Sequence, residues 1–324
     1  MSVSPLARLG RRLYDAPYLL LTCTAFFWAS NMVLGRYVAG HIPPLTLACL
    51  RWALATLLIL PFAWRQLSMD APIILRNIPA LILLAATGIA CYNAMSYYGL
   101  QYTQALNGLL IQSSSPLLIA LWTLVLFRDR LSRGQIAGIL LSLLGVTVII
   151  CRGDLDVLLH LKPNVGDLWL LLALIIYCFY AAILRIRPPL GPLSFLAVTM
   201  GIGAIQLIPF ALWEAASGQA FAFTPFNGAV VLYVSIFPAL VAYLCFNRGV
   251  ELVGANRAAP FFHLMPVFGS ALAILFLGEI FAWYHGVGYA LVIAGIVTAT
   301  RAKSASAKSA STKPIPAPKP DPKT

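Results

Sequence analysis

The chain has 324 residues, of which 60% are hydrophobic and only 10% charged, and its net charge is +12. So few charged side chains could not cover the surface of a soluble protein of this length, which excludes a soluble globular domain. The positive charge does not indicate nucleic-acid binding, because Lys and Arg stand at the ends of apolar runs and in the C-terminal tail, where membrane topology accounts for them.

Apolar runs of about 20 residues, the length that crosses the hydrocarbon core of a bilayer, recur along the chain. They predict an all-α integral membrane protein with ten transmembrane helices. In chain order these helices are predicted at residues 18–38, 45–64, 78–100, 104–126, 135–151, 167–184, 192–213, 228–247, 257–277 and 284–300.

The two ends of the chain are predicted to lie outside the helical core. Residues 1–17 form a cytoplasmic segment rather than a signal peptide, because the apolar run that follows is too long and lacks a small-residue cleavage site. Residues 301–324, rich in Lys, Ser, Pro and Ala, predict a disordered basic cytoplasmic tail that at most contacts anionic lipid headgroups. The six cysteines lack CxxC spacing, so we interpret them as small buried residues rather than disulfides or metal ligands.

The chain contains an internal duplication. Gly99, Pro116 and Gly138 each have the same residue type 150 positions later, and the tripeptides that begin at Pro44 and Pro61 recur 148 positions later. Prolines and small packing residues rarely align in this way by chance. We therefore predict two five-helix repeats, at residues 18–151 and 167–300, joined by an extracytoplasmic loop at residues 152–166.

The basic residues predict the orientation of the repeats. With a cytoplasmic N-terminus, eighteen of the 22 Lys and Arg residues fall on the inside, so both termini are predicted to be cytoplasmic. Because each repeat has an odd number of spans, the two repeats insert upside down relative to each other. This arrangement is typical of inverted-repeat transporters, whose binding site lies near the middle of the bilayer between the halves.

Four local patterns give the chain a family resemblance. They are Trp28-Ala29-Ser30-Asn31 with Arg36, then Leu50-Arg51-Trp52, then the run from Ala105 to Pro116, and finally Pro266 followed by Leu277-Gly278-Glu279. With these patterns the chain resembles the drug/metabolite transporter superfamily, specifically its ten-helix EamA-type branch. The first half departs from the acidic signature, because it carries Arg128-Asp129-Arg130 where the second half has Gly278-Glu279.

The resemblance implies a carrier in a cell membrane, with the bacterial inner membrane expected, and commonly an exporter of amino acids or related metabolites. It also implies a central cavity lined by spans one, three, four, six, eight and nine.

Polar side chains inside the predicted spans must be partnered or must line a wet cavity. Asn93, Ser96 and Tyr97 share one helical face, and Gln112 and Ser114 precede a proline that frees a backbone carbonyl. Clustered aromatic rings favour an amphipathic organic solute over a bare ion, although ordinary packing or serine capping of the kink explains each residue equally well. The predicted solute-binding residues are Trp28, Asn31, Tyr92, Asn93, Ser96, Tyr97, Gln112, Ser114, Tyr177, Tyr180, Tyr243 and His263, with helix breaks or hinges at Pro116 and Pro266.

Two basic side chains and a glycine pattern leave alternatives open. Arg51 either binds an anionic group of the solute, holds backbone carbonyls, or extends towards the membrane surface. His263 either couples transport to protons or is a hydrogen-bonded packing residue. Gly134 and Gly138, with Gly286 and Gly288 in the matching last span, indicate close helix approach, either within the fold or between protomers.

The sequence predicts a secondary transporter that exports small amphipathic metabolites by alternating access, with aromatic or hydrophobic amino acids among the candidates. The alternative is an exchanger of anionic solutes such as sugar phosphates or nucleotide sugars, which would need more cations than Arg51 in the cavity. A membrane-embedded enzyme is disfavoured because no paired acids or nucleophile-base pair appears, and no Walker motif indicates an ATP-driven pump. No catalytic residue, cofactor or metal is expected; the expected partners are a small solute and the bilayer, and the sequence does not choose an oligomeric state.

Overall fold

The computed structural model describes residues 13–154, 156, 164–277 and 280–302. The N-terminal segment before residue 13, part of the predicted extracytoplasmic loop, the Gly278-Glu279 signature and the tail from residue 303 lie outside the described residues. The predictions for these segments therefore remain predictions.

The described part of the chain is all-helical, and we number ten helical segments in it. Eight of them, α1 to α8, are long and apolar enough to cross a membrane. For α9 and α10 a membrane crossing remains a prediction. The segments are α1 (Pro17–Tyr37), α2 (Pro44–Arg76), α3 (Ile78–Gly99), α4 (Ala105–Gln112 and Ser115–Phe127), α5 (Arg133–Ile150), α6 (Val165–Ile186), α7 (Pro192–Ala216), α8 (Pro225–Val253), α9 (Ala255–Ala258, Ala259–His263 and Leu264–Leu277) and α10 (Trp283–Arg301).

Helix α2 differs from its prediction, because it continues to Arg76 instead of ending at residue 64. Its C-terminal extension packs Leu67 and Ile73 against the core, while Met69 is exposed. The carboxylate of Asp70 in the same extension accepts a hydrogen bond from the backbone N–H of Gly191 at 3.0 Å. Tertiary contacts thus keep this stretch helical, although its charged residues had indicated a loop.

Equivalent helices of the two halves pack against each other in opposite directions. In the last turns of α7, the carboxylate of Glu214 accepts hydrogen bonds from the backbone N–H groups of Leu45 (3.1 Å) and Thr46 (2.7 Å), at the start of α2. In α2, 148 positions earlier than Glu214, the side-chain oxygen of Gln66 accepts from the N–H groups of residues 193 and 194, at the start of α7 (3.0 and 3.1 Å). The N-terminus of each helix is therefore capped by its counterpart, and the halves are related by inversion.

The last helices of the two halves, α5 and α10, also cross in opposite directions, with glycines at the contact. A Cβ atom on Gly138 would lie 2.6 Å from the carbonyl oxygen of Gly295, and one on Gly145 would lie 2.7 Å from that of Gly288. Only glycine permits backbones to approach this closely. The close helix approach at Gly138 and Gly288 therefore lies within the fold.

Candidate functional site

A cluster of aromatic rings lies where the helices of the two halves meet. Tyr177 of α6 is fully buried at its centre. Six rings from α1, α3, α6, α8 and α9 have their centroids between 4.5 and 6.5 Å from that of Tyr177. We call these seven residues the aromatic cluster: Trp28, Tyr92, Tyr177, Tyr180, Tyr243, Phe246 and Phe262.

Two of these rings are fixed by carbonyls in π-helical turns. Helix α3 has a π-helical turn at Ala86–Ala90 and its counterpart α8 has one at Ser235–Val241. The phenol of Tyr243 donates to the carbonyl of Gly88 at 2.6 Å. The indole of Trp28 donates to the carbonyl of Pro238, 150 positions after Gly88, at 3.1 Å. Irregular turns of this kind are frequent at functional sites, because they leave backbone groups available to side chains.

Arg51 of α2 is the centre of a second, polar cluster. One terminal nitrogen of its guanidinium, Nη1, donates to the Oδ1 atom of Asn93 (2.7 Å), to the hydroxyl of Tyr97 (2.9 Å) and to the Oδ1 atom of Asn31 (3.5 Å). The Tyr97 hydroxyl in turn donates to Asn31 Oδ1 at 2.8 Å. We call Arg51, Asn31, Asn93 and Tyr97 the polar cluster; it joins α1, α2 and α3.

The geometry corrects two of the three interpretations of Arg51. The side chain neither holds backbone carbonyls nor extends towards the surface, because its partners are side chains and it is only 1% exposed. Its guanidinium lies 4.7 Å from the centre of the Trp52 ring. Among the described residues no carboxylate forms a salt bridge with Arg51, and its Nε atom has no hydrogen-bond partner. The charge is held by neutral groups alone.

Unpartnered polar atoms concentrate around the two clusters. Eight buried side-chain nitrogen or oxygen atoms of the described residues have no hydrogen-bond partner, and five belong to residues of these clusters or in contact with them. Each such atom costs about 1–3 kcal/mol unless water or a ligand satisfies it. The five are Arg51 Nε, Trp52 Nε1, Gln112 Nε2, the Tyr177 hydroxyl and Asn247 Nδ2.

The interruptions of α4 and α9 contact each other. Helix α4 is broken at Ser113 and Ser114, and Pro116 lies in the first turn of its second part. The Nε2 atom of His263, in the 3₁₀ turn of α9, lies 2.7 Å from the backbone carbonyl oxygen of Ser113. The other ring nitrogen of His263 bonds the hydroxyl of Ser142 on α5. Both nitrogens of this buried histidine therefore have partners within the fold.

The remaining predicted residues occupy different positions. Ser96 is buried on the same face of α3 as Asn93, and Ser114 is half-buried at the break in α4. The Oε1 atom of Gln112 lies 3.5 Å from the hydroxyl of Tyr92 and so contacts the aromatic cluster. Pro266 lies in the first turn of Leu264–Leu277, immediately after the 3₁₀ turn of α9.

Sequence reasoning missed Asn247, although the repeat offset could have found it. Asn247 is 150 positions after Tyr97, and Tyr180 is 149 positions after Asn31. The Tyr180 hydroxyl donates to Asn247 Oδ1 at 3.0 Å, as the Tyr97 hydroxyl donates to Asn31. The same bond thus occurs in both halves with the tyrosine and the asparagine exchanged between helices.

Known proteins resemble this chain in sequence and in fold. An uncharacterized transporter of Bacillus subtilis, YyaM, is 27% identical over 284 residues, which are 87% of this chain and 93% of YyaM. A probable terminal-alkyne amino-acid exporter of Streptantibioticus cattleyicolor is 24% identical over 230 residues, 70% of this chain and 74% of that protein. One solved crystal structure has the same fold, with a TM-score of 0.70 at 18% identity over 87% of this chain and 94% of that one.

The family comparison is specific. The EamA-like transporter family matches the chain twice, at residues 16–151 and 164–301. The helices of the described residues and the transporter relatives agree with a multi-pass membrane protein. The chain is therefore a member of the EamA-like transporter family, within the drug/metabolite transporter superfamily.

Proposed function

We propose that this protein is a secondary transporter that exports small amphipathic metabolites by alternating access, with aromatic or hydrophobic amino acids as the first candidates. The observation that carries the proposal is the polar cluster beside the aromatic cluster, with five unpartnered buried polar atoms around them. A solute with an apolar body and a few polar groups would satisfy those atoms and pack against the rings.

The candidate solute contacts come from both clusters. Arg51, Gln112 and Tyr177 offer polar atoms that no residue of the described ranges satisfies. Trp28 and Tyr243 offer rings whose polar atoms are already bonded, so these two shape the site. The amino-acid exporter among the relatives supports the solute class.

Exchange of anionic solutes is the second candidate, and the uncompensated charge of Arg51 favours it. Among the described residues of the two clusters Arg51 is the only cation. One cation suits a single carboxylate better than a sugar phosphate, which carries about two charges at neutral pH. An amino acid carries a single carboxylate and therefore matches the single cation, so we rank amino acids first.

We place the protein in a cell membrane, the bacterial inner membrane being the expected one, with both termini in the cytoplasm. The positive-inside rule supports this orientation. The ion pairs Arg185–Asp129, Arg187–Glu251 and Arg248–Asp15 agree with it, because together they bring the ends of α4, α6 and α8 and the start of α1 to one face.

The test is counterflow in proteoliposomes preloaded with single amino acids, sugars or phosphorylated solutes. We expect radiolabelled phenylalanine to accumulate against preloaded phenylalanine and not against glucose 6-phosphate. The variants Gln112→Ala, Asn93→Ala and Tyr97→Ala should each slow counterflow while inserting into membranes normally. Gln206→Ala is the matched control, because Gln206 bonds a backbone carbonyl of α3 away from both clusters.

Three results contradict the proposal in different ways. Counterflow of phosphorylated solutes alone would favour the exchanger. Normal counterflow in all three cluster variants would refute the assignment of the site. Slowed counterflow in Gln206→Ala as well would show that the cluster variants act through general destabilisation.

A further inference from the structure

A cavity of about 560 Å³ opens on the face where α6 and α8 end. Its walls are the last residues of α6, the connection at residues 188–191 and the last two turns of α8. The volume falls in the range of small-molecule sites. On the proposed orientation this face is cytoplasmic, so the cavity lies on the side from which an exporter takes its solute.

The wall of this cavity presents a cation and an anion side by side. A terminal nitrogen of Arg187 lies 3.1 Å from a carboxylate oxygen of Glu251, and Arg248 approaches the other oxygen at 3.2 Å. The Arg187 side chain is only 14% exposed and its guanidinium lies 4.9 Å from the centre of the Phe195 ring. The positive charge is therefore held in place, while Glu251 is 44% exposed and accessible.

The cavity reaches a buried amide with a free donor. Asn247 lines it, is 4% exposed, and its Nδ2 atom has no hydrogen-bond partner. The Oδ1 atom of the same side chain accepts the hydroxyl proton of Tyr180, a member of the aromatic cluster. Asn247 thus lies between the cavity and the aromatic cluster.

We propose that this cavity is an entry site for a zwitterion that carries a carboxylate next to an ammonium group, the chemistry of an α-amino acid. The carboxylate binds Arg187 and the Nδ2 atom of Asn247, and the ammonium binds Glu251. Leu184, Leu190 and Val250 provide apolar wall for the rest of the solute. The entry role depends on the proposed function, whereas the binding chemistry does not.

The same paired charges occur in the headgroup of phosphatidylethanolamine, so the test must separate a free solute from a lipid. Equilibrium binding of radiolabelled L-phenylalanine is measured on the full-length protein in detergent, in an Arg51→Gln background that weakens the central site. We expect Glu251→Gln to raise the Kd about tenfold, because it removes the charge that holds the ammonium. Asp15→Asn is the matched control: it removes a carboxylate from the same chain of ion pairs without touching the cavity.

A second variant keeps the test valid if Glu251→Gln does not fold. Asn247→Asp is nearly isosteric and retains an oxygen for Tyr180, but it replaces the Nδ2 donor with an acceptor. It should weaken binding of phenylalanine about tenfold and leave phenethylamine, which lacks the carboxylate, bound at least as tightly as before.

Transport in proteoliposomes separates the failure of this inference from that of the proposed function. In the otherwise unaltered protein, Glu251→Gln should raise the KM for phenylalanine and leave the maximal rate within about twofold, because the central site is intact. An unchanged KM, together with unchanged binding, would overturn the entry site and leave the transporter proposal standing. Binding that depends on Glu251 without any transport would refute the proposed function and retain the site. Binding of radiolabelled phosphoethanolamine without any binding of phenylalanine would overturn the solute assignment in favour of a lipid headgroup.

Discussion

The two halves of this transporter share their irregular backbone features and differ in the charge of their side chains. The π-helical turns of α3 and α8, the breaks in α4 and α9 and the mutual caps of α2 and α7 all recur at the repeat offsets. Apart from the Tyr97–Asn31 bond, whose counterpart is Tyr180–Asn247, the polar cluster does not recur. Arg51 corresponds to Thr199, and Asn93 corresponds to Tyr243.

This difference reflects two separate requirements of a transporter, movement between two states and orientation of the solute. Alternating access needs two halves of similar shape that can move symmetrically about a central site. Orienting a solute needs a site that is not symmetric. The polar cluster lies entirely in the first half, whereas five of the seven rings of the aromatic cluster belong to the second half: Tyr177, Tyr180, Tyr243, Phe246 and Phe262. A solute in such a site would direct its charged end towards the first half.

The largest expected effect tests the shared scaffold. Gly145→Ala and Gly295→Ala should each destabilise the protein by about 3 kcal/mol, because the new Cβ would lie 2.7 Å or less from backbone atoms of the opposing helix. The fraction of monodisperse protein after heating in detergent measures the loss. Gly286→Ala is the control, since its Cβ would meet only the Phe281 ring at 3.8 Å. Unequal losses at the two equivalent glycines would contradict the proposed symmetry of the scaffold.

The next effect tests the asymmetry of charge. Arg51→Gln should lower transport efficiency by about thirtyfold, which corresponds to about 2 kcal/mol, because the solute loses its cationic partner. The equivalent change, Thr199→Val, should leave transport near normal, since the Thr199 hydroxyl bonds only carbonyls of its own helix at 2.7 and 3.3 Å. Initial rates in proteoliposomes give both values. A comparable loss in both variants would show that the position matters and the charge does not.

The mutual caps predict a smaller difference. Glu214→Ala should cost about 2 kcal/mol and Gln66→Ala about 1 kcal/mol, because a carboxylate at a helix N-terminus gains from the helix dipole and an amide does not. Thermal unfolding in detergent measures both losses. If Glu214→Gln equals the unaltered protein in stability, the charge of this cap contributes nothing.

The smallest effect concerns two neighbouring tyrosines. Tyr177→Phe should not reduce stability, because the Tyr177 hydroxyl has no hydrogen-bond partner in the described part of the chain, but it should slow transport if that hydroxyl contacts the solute. Tyr180→Phe should cost about 1 kcal/mol, because it leaves Asn247 without its donor. Unfolding temperature and initial transport rate, measured on the same preparations, separate the two contributions. A loss of stability in Tyr177→Phe would show that its hydroxyl is satisfied within the fold.

Much of the fold could be predicted because hydropathy and the repeat offsets act over long stretches of sequence. The helix bounds agree within a few residues except for the C-terminal extension of α2 and the ends of α8, and the reciprocal bonds of Gln66 and Glu214 give the inversion a structural basis. The π-helical turns were not predicted. Gly88 and Pro238 indicate that the helices are interrupted there but not in which way, and the side chains that bond their carbonyls, those of Tyr243 and Trp28, come from other helices.

The site was predicted less completely, because partners that come from distant helices leave no local signal. The partners of Arg51 lie 42 and 46 positions away, and those of His263 lie 121 and 150 positions away. Sequence alone therefore left the side-chain partners of Arg51 unidentified and the role of His263 open. Solute binding by Trp28, Asn31, Tyr92, Asn93, Ser96, Tyr97, Gln112, Ser114, Tyr177, Tyr180, Tyr243 and His263, and hinge action at Pro116 and Pro266, stay predictions.

The mutual capping of α2 and α7 has a consequence for biosynthesis. While the ribosome is still producing the second half, the amide groups at the start of α2 have no carboxylate to bind, because Glu214 has not yet emerged. The first half must therefore remain in the bilayer as an incompletely packed set of helices. It completes its packing only when the second half has been synthesised and inserted. Two separately expressed fragments, divided in the loop between them, should consequently be degraded alone and rescued by co-expression.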